Sequence, residues 1–285
     1  MYRFKPYKIH LHGKQVEITT PWVMGILNVT PDSFYNGSRY NKKTEIAARV
    51  HQIIDEGAKI IDIGGYSSRP GANEVSPEEE YERLALGLSV IRQEKPDAII
   101  SVDTFRADIA RRCVEDWNID IINDISGGIL DNHMFDTVAE LQVPYILMHM
   151  RGTPATMQHH TQYGNVTEEV IKELNDKIDT LRQKGDNDII IDPGFGFSKT
   201  VEQNYEMMNH LEYFQSFGMP LLVGISRKSM IYKALGITPE TALNGTTVLN
   251  TIALMKGAHI LRVHDVKEAV EAVKTVTLAK QSSTI

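Results

Sequence analysis

The run Val23–Asn28 reads VMGILN, a short apolar segment that ends in a polar residue. Seven more runs of this kind follow along the chain, separated mostly by helix-compatible segments. Their polar or glycine-rich ends are Asn28, Gly64-Gly65, Asp103, Asn123, His149, Asp192, Ser226 and His264. In a parallel barrel of eight strands with helical crossovers, the carboxyl ends of all strands meet at one rim. The pattern therefore predicts an α/β fold, a (β/α)8 TIM barrel, with its chemistry at a shared mouth.

The runs are rich in Ile, Val and Leu, as expected for parallel strands that are covered on both faces. The predicted strands are Val23–Asn28, Lys59–Ile63, Ala98–Val102, Ile119–Ile122, Pro144–Met148, Asp188–Ile191, Leu221–Ile225 and His259–Val263. An alternating segment, Lys8–Thr19, predicts an N-terminal β-hairpin around Gly13. The alternative fold is a doubly wound open sheet, which usually carries a Gly-x-Gly-x-x-Gly fingerprint after its first strand. No such fingerprint follows Asn28.

Local signals mark two helix boundaries. A helix over Thr44–Glu56 ends at Gly57, which is typical of a C-terminal glycine cap. The sequence Ser76-Pro77-Glu78-Glu79 predicts a capping box with proline at the first helical position. The chain's one cysteine, Cys113, lies in a helical stretch and is expected to be half-buried by packing.

The composition limits the classes of function. A chain of 285 residues fits one barrel domain, residues 1–285, because such barrels usually run to about 250 residues. A formal charge of -7 argues against a nucleic-acid surface, and no apolar stretch approaches the roughly 20 residues that a membrane span needs. The segment Met1–Lys14 has no signal-peptide core, and the single cysteine suits a reducing cytoplasm. These features favour a cytoplasmic protein that acts on small molecules.

Three of the strand ends carry side chains that accept hydrogen bonds. Asp103, Asn123 and Asp192 each admit a structural role, since Asp and Asn often cap helices at strand-to-helix junctions. Together they would form a cup of carboxylate and amide oxygens suited to the amino-pyrimidine edge of a heterocycle. An ionised Asp192 would accept two donors from such an edge.

Cationic side chains lie after other strands. Arg69 follows the second strand, Lys228 the seventh, and Arg262 and His264 lie within and after the eighth. The loops after strands seven and eight of this fold commonly bind phosphate. Arg262 lies inside an apolar strand, where an unpaired guanidinium would be costly. The residues therefore predict a pocket with one side for a neutral ring and another for phosphate.

The chain closely resembles the dihydropteroate synthases of the bacterial folate pathway. The resemblance runs from about Pro21 to Lys280 and rests on four separated blocks: Met24–Phe34, Asp192–Phe197, Gly224–Ser229 and Arg262–Val266. It implies a transferase that condenses 6-hydroxymethyl-7,8-dihydropterin diphosphate with 4-aminobenzoate, giving 7,8-dihydropteroate and pyrophosphate. It also implies inhibition by sulfonamides and a homodimer formed through the last helices.

The resemblance assigns roles residue by residue. For the pterin it implies Asp103, Asn123, Met148, Asp192, Lys228 and Arg262; for the diphosphate, Asn28, Ser68, Arg69, Arg262 and His264; for 4-aminobenzoate, Phe34, Ser68, Pro70, Phe197 and Ser229. A magnesium ion would lie beside Asn28. Asp103, Lys228 and Arg262 would carry the chemistry, an S_N1-like departure of pyrophosphate followed by attack of the arylamine. No covalent enzyme nucleophile is implied.

Two loops depart from the family pattern. Tyr66 stands where the family often has glutamate, and Asn36 stands where it has aspartate. Both lie where aminobenzoate and diphosphate would meet, so they are expected to affect aminobenzoate affinity and sulfonamide response. Two other functions on the same barrel stay open: a folate-dependent methyltransferase, which would have no use for the cations, and a non-catalytic pterin-binding protein, which would be expected to lose one of them.

Overall fold

The structure, a computed structural model, describes residues 4–30, 39–66, 75–186 and 188–281, without the side chains of residues 39–41. Eight parallel strands form the central sheet: β3 (Trp22–Asn28), β4 (Ile60–Gly64), β5 (Ile99–Asp103), β6 (Ile121–Asp124), β7 (Tyr145–Met148), β8 (Ile189–Asp192), β9 (Leu222–Val223) and β10 (Ile260–Val263). A parallel bridge between Ile191 and Leu221 joins the two ends of the sheet. The barrel prediction is confirmed, and the open sheet is wrong.

Helices alternate with these strands and cover the outside of the barrel. They are α1 (Arg39–Asp55), α2 (Pro77–Glu94), α3 (Ala107–Trp117), α4 (Met134–Leu141), α5 (Val166–Gln183), α6 (Val201–Asn209), α7 (Ser229–Leu235), α8 (Leu243–Met255) and α9 (Val266–Gln281). Short 3₁₀ helices span Met157–His159, Leu211–Phe217 and Pro239–Thr241. In the described ranges, none of the helices has the length and apolarity needed to cross a membrane.

The predicted hairpin is present as β1 (Tyr7–Leu11) and β2 (Lys14–Ile18), which pair antiparallel. Its two turn residues, His12 and Gly13, have φ of 49° and 72°, so both are left-handed, as a two-residue type I′ turn requires. Apolar side chains of the hairpin pack against the first interior side chains of the barrel strands. This cluster comprises Ile9, Leu11, Ile18, Trp22, Met24, Ile60, Ile121, Ile146, Ile190, Leu222 and Ile260. The hairpin therefore closes the amino-terminal end of the barrel with an apolar floor.

The observed boundaries differ from the predicted ones by a few residues. Helix α1 begins at Arg39 rather than Thr44, and β9 has two residues instead of the five predicted over Leu221–Ile225. Beyond Val223 the chain leaves the sheet for a turn in which the Lys228 amide donates to Ile225. Tertiary packing rather than local propensity sets where such a short strand ends.

The two predicted caps are largely confirmed. Gly57 follows α1 with φ of 102°, and its N–H donates to the Ile54 carbonyl. Ser76 caps α2 by accepting from the Glu79 amide at 3.2 Å, but the Glu79 carboxylate pairs with Arg83 instead of completing a capping box. Cys113 is fully buried on α3, not half-buried, because it lies among the apolar side chains between helix and sheet.

Close packing between β3 and α1 gives a first prediction. A Cβ added at Gly25 would lie 2.6 Å from Cγ2 of Ile53 and 3.0 Å from Cγ2 of Val266. We expect Gly25→Ala to lower the free energy of unfolding by about 1–3 kcal/mol through overpacking. Urea denaturation measures the loss. Gly164→Ala is the control, since its Cβ would make only a 3.4 Å contact with Glu169; an equal loss in both variants would contradict the packing argument.

Candidate active site

Above the apolar floor, the interior positions of the barrel become polar. Side chains of a strand alternate between the two faces of a sheet, so the residue two positions after each floor residue also points into the barrel. The residues at these positions include Asp62, Asn123, Met148, Asp192 and Arg262. The structure thus brings together four residues that the sequence assigns to the pterin site, and it adds Asp62.

Arg262 is the centre of an ion network across the barrel. Its Nε donates to Oδ2 of Asp62 at 2.7 Å, and its Nη2 donates to Oδ2 of Asp103 at 2.6 Å. The Asn123 amide donates to the two Asp62 oxygens at 3.2 and 3.4 Å. The expectation that the Arg262 guanidinium is paired is confirmed. Because Asp103 and Asn123 are engaged by this network, the mouth is an ordered array of charges rather than a cup of acceptors alone.

Asp62 is the residue that the sequence interpretation missed. It is fully buried in β4 and holds both Arg262 and Asn123, which come from strands on either side of it. The sequence carried a signal, since Asp62 is a charged residue within the run IIDIG. A buried carboxylate needs an oppositely charged partner, as a buried guanidinium does. An ion pair between Asp62 and Arg262 could therefore have been predicted from the sequence.

Asp192 ends β8 and is 5% exposed. Its Oδ1 accepts from the Gly194 amide at 2.8 Å, which forms an Asx turn. Asp192 therefore has the local structural role that its sequence position also admitted. The Lys228 ammonium donates to the Phe195 carbonyl at 2.6 Å and lies 4.6 Å from the centre of the Phe197 ring. Asp192, the Phe197 ring and Lys228, which reaches the loop after β8 from the loop after β9, therefore lie on one side of the mouth.

The environment of the site shifts the pKa values of its charged side chains. Burial raises the pKa of Asp103 to about 7, although Arg262 opposes the shift. Burial also raises the pKa of Asp192, opposed chiefly by Lys228, and lowers the pKa of Lys228 to about 8. For Arg262 burial disfavours the charge, but Asp62 and Asp103 outweigh it and raise the pKa of the guanidinium. Arg262 is thus the permanent cation of the mouth.

His264 follows β10, and its Nδ1 lies 3.1 Å from the Ser226 hydroxyl. Burial, assisted by the charge of Arg262, lowers the pKa of His264 to about 4. Burial therefore favours the neutral imidazole near pH 7, which does not support the interpretation of His264 as one of the cations. A neutral imidazole can still serve an anion as an N–H donor. Arg49 donates to the His264 carbonyl at 2.7 Å and fixes its backbone.

The remaining predicted residues lie around the rim or outside the described part of the chain. Asn28 is the last residue of β3, Met148 ends β7 and is buried, and Ser229 is the first residue of α7. Tyr66 stands edge-on to the Phe105 ring with their centres 5.1 Å apart. His159 and His160, interpreted as surface residues, are exposed. The predicted residues outside the described ranges are Phe34, Asn36, Ser68, Arg69 and Pro70.

Comparison with known proteins gives one consistent family. Residues 24–264 match the pterin binding enzyme family. The chain is 42% identical over 271 residues to the dihydropteroate synthase of Escherichia coli K12, covering 94% of this chain and 95% of that relative. It is 42% identical over 256 residues to that of Synechocystis, covering 89% and 88%.

Solved structures agree with these relatives. A Yersinia pestis dihydropteroate synthase described as a sulfonamide drug complex superposes with a TM-score of 0.89 at 37% identity, covering 96% of this chain and all of that one. A Xanthomonas albilineans dihydropteroate synthase with 4-aminobenzoic acid superposes with a TM-score of 0.86 at 35% identity, covering 96% and 98%. By the family match, these identities and these superpositions, the chain belongs to the pterin-binding enzymes and, within them, to the dihydropteroate synthase family.

Proposed function

We propose that this chain condenses 6-hydroxymethyl-7,8-dihydropterin diphosphate with 4-aminobenzoate, releasing pyrophosphate and forming 7,8-dihydropteroate. The observation that carries the proposal is the Asp62–Arg262–Asp103 network beside Asp192 and Lys228. It combines carboxylates for the amino edge of a pterin with fixed positive charge for a departing anion.

The pterin would lie on the polar interior layer. Asp192 would accept from its amino-pyrimidinone edge through the oxygen that the Gly194 amide does not engage. Asn123 would present its amide oxygen, since its Nδ2 donates to Asp62, and Lys228 would donate to the pterin carbonyl. Met148 and the guanidinium of Arg262 would cover the two faces of the ring.

The diphosphate would lie toward Asn28 and His264, with Ser68 and Arg69 contributing from outside the described residues. The donor chemistry fits a magnesium ion. No group of three or more His, Cys, Asp or Glu side chains suited to a metal occurs in the described part of the chain, and magnesium often relies on substrate phosphates and water with one or two protein oxygens. Asn28 would supply such an oxygen, and the bound ion would neutralise the leaving group.

The reaction breaks the bond between the pterin methylene carbon and the diphosphate oxygen, and both electrons leave with the pyrophosphate. Asp103, ionised and facing the pocket, stabilises the positive charge that spreads from the methylene into the ring. The aminobenzoate nitrogen then forms the new C–N bond and loses a proton to solvent. Arg262 serves both stages, because it orients Asp103 and attracts the anionic diphosphate.

One assay tests this function. Pyrophosphate release should require both the pterin diphosphate and 4-aminobenzoate. Release without the aminobenzoate, or no release with both substrates and magnesium, would contradict the proposal. Transfer of a methyl group from a methylated folate would support a folate-dependent methyltransferase instead, and tight pterin binding without turnover would support a non-catalytic binding protein.

Sulfonamides should compete with 4-aminobenzoate for this chain. The aryl slot proposed from Phe34, Pro70 and Phe197, with the carboxylate near Ser229, recognises an aniline ring and an acidic para group, which both ligands share. The Yersinia pestis relative is described with a sulfonamide drug. Steady-state inhibition at several aminobenzoate concentrations measures the competition. Inhibition that raising aminobenzoate does not relieve would place the drug elsewhere, and Tyr66 and Ser68 would then be examined first.

The pH dependence of kcat/KM should be bell-shaped. Asp103 must be ionised to stabilise the cation, so activity falls as pH drops through its pKa of about 7. Lys228 must be protonated to donate to the pterin, so activity falls as pH rises through its pKa of about 8. Lys228→Arg should remove the alkaline limb from whatever activity is left, because arginine does not deprotonate in this range. An unchanged alkaline limb in that variant would exclude Lys228 as its source.

The chain is also proposed to act as a homodimer in the cytoplasm. Helix α8 carries no charged residue from Leu243 to Met255, and Leu235, Ile237 and Val248 on and beside it are exposed. An outward helix without charges favours burial against a second copy. Analytical ultracentrifugation of the wild type and of Val248→Asp tests this, with a dimer expected for the first and a monomer for the second.

A further inference from the structure

Lys199 is a buried lysine that the proposed chemistry does not use. It lies between β8 and α6, is 3% exposed, and its ammonium has three partners. It donates to the Gly194 carbonyl at 3.1 Å, to the Phe197 carbonyl at 3.0 Å, and to Nδ1 of His149 at 3.1 Å. An ammonium has three N–H donors, so this arrangement uses all of them.

The two carbonyls belong to the two ends of one turn. The Phe197 amide donates to the Gly194 carbonyl at 3.1 Å, which closes residues 194–197 into a turn. Gly194 is left-handed, with φ of 73°, and a Cβ there would lie 1.9 Å from the His149 carbonyl, so the turn fits tightly on the end of β7. This turn connects Asp192, proposed to bind the pterin, with Phe197, proposed to wall the aryl slot.

A chain of hydrogen bonds through His149 and Glu173 holds the Lys199 ammonium in place. His149 is 1% exposed, accepts from Lys199 at Nδ1, and therefore donates from Nε2 to Glu173 at 2.9 Å. Glu173 also accepts from Nε of Arg151 at 3.0 Å. Burial and the nearby Lys199 charge lower the pKa of His149 to about 3, which keeps the ring neutral and able to accept.

The backbone conformation of Ser198 also directs Lys199 toward the turn. Ser198 has φ of 46°, a left-handed conformation that non-glycine residues seldom adopt. Its hydroxyl accepts from the Arg151 amide at 3.0 Å. The conformation is thus fixed by the same Arg151 that anchors Glu173, and it turns the chain so that Lys199 passes beneath the loop rather than into solvent.

We infer that Lys199 is a positioning residue for the second substrate: it fastens the 194–197 turn and thereby sets Phe197 against the pocket that holds the pterin. The inference rests on the proposed function and deepens it, because it assigns a residue to the recognition of the arylamine. Asp192 stays anchored on β8 by the pairing of β7 with β8. Lys199 also lowers the pKa of Asp192, but less than Lys228, the Gly194 amide and Arg262 do. Loss of Lys199 should therefore affect 4-aminobenzoate more than the pterin.

The test compares Lys199→Met with Lys256→Met. Lys256 also donates to a backbone carbonyl, that of Asn209, and to a carboxylate, Glu212, both at 2.6 Å, but away from the barrel mouth. We expect Lys199→Met to raise the KM for 4-aminobenzoate about tenfold or more, the scale of a lost charged hydrogen bond. The Kd for an unphosphorylated pterin, measured by calorimetry, should change less than about threefold. Lys256→Met should leave both constants unchanged.

A double-mutant cycle separates positioning from general loosening. If Lys199 acts through Phe197, the variant with both Lys199→Met and Phe197→Leu should have the aminobenzoate KM of Phe197→Leu alone. Additive effects, or an equal loss of pterin affinity, would overturn the inference. Should Lys199→Met fail to fold, His149→Gln removes the support behind Lys199 and should also raise the aminobenzoate KM selectively; an unchanged KM, or failure of both variants to fold, would likewise overturn it. Wild-type protein without pyrophosphate release would instead overturn the proposed function.

Discussion

Arg262→Met should lower kcat/KM by about 10²–10³-fold, the usual effect of removing one fixed donor that stabilises transition-state charge. The same substitution should lower the free energy of unfolding by about 3–5 kcal/mol, because it leaves buried carboxylates without their cation. Arg262 pairs with both Asp62, which is fully buried, and Asp103. Steady-state kinetics and urea denaturation measure the two losses.

The stability loss of Arg262→Met should depend on pH. The pKa of Asp103, already raised by burial, would rise further without the guanidinium. A carboxyl group whose pKa is higher in the folded state favours folding at low pH, and this contribution is lost as pH rises through the folded-state pKa. The difference in unfolding free energy between variant and wild type should therefore shrink when the pH is lowered from about 7 to about 5.

Arg92→Met is the matched control for Arg262→Met. The Arg92 side chain is 22% exposed, against 19% for Arg262, and it donates to the carbonyls of Pro96, Ala98, Trp117 and Asn118. These groups lie near the closed end of the barrel, before β5 and β6. Arg92→Met should lose stability and keep kcat/KM, whereas equal catalytic losses in both variants would show that Arg262 matters only for folding.

The order of strands and helices could be predicted because each barrel strand is a short apolar run that ends at a polar residue. The floor residue Ile60 and the site residue Asp62 are two positions apart, so the period of the strand itself places the site above the core. Asp192 could be predicted as the polar end of its run, and Arg262 as a charged residue inside an apolar strand. Exact ends, such as the two-residue β9, depend on neighbouring strands and carry no local signal.

Lys199 and His264 show what the sequence does not contain. Ser198-Lys199-Thr200 resembles the exposed start of a helix, and Thr200 does cap α6. Lys199 is nevertheless buried, because the Gly194–Phe197 turn and His149 surround its ammonium. His264 was grouped with the cations because it follows the eighth strand. Its neutrality follows from burial and from the charge of Arg262, which are properties of the assembled barrel.

Asp192→Asn should weaken binding of a pterin ligand by about 1.5–3 kcal/mol, the usual range for hydrogen bonds to charged groups, which is roughly 10- to 150-fold in Kd. In the wild type the Gly194 N–H donates to Oδ1 of Asp192 at 2.8 Å, and the side-chain oxygen of the asparagine can accept the same hydrogen bond. The asparagine's other side-chain atom is an NH₂ group, which donates where the pterin edge also donates and which no longer attracts the Lys228 ammonium. The variant should therefore fold while binding the pterin more weakly.

Asp124→Asn separates this effect from the general cost of a buried amide. Asp124 is also fully buried and also accepts from backbone amides, those of Ser126 at 2.7 Å and Gly128 at 2.8 Å, but its Tyr145 partner lies in the core outside the barrel interior. Asp124→Asn should therefore lower the Tm without changing the Kd for the pterin. Calorimetric titration of both variants measures the difference. Wild-type pterin affinity in Asp192→Asn would show that this carboxylate does not contact the ring, because the substitution removes the charge through which Asp192 is proposed to bind the pterin's amino edge.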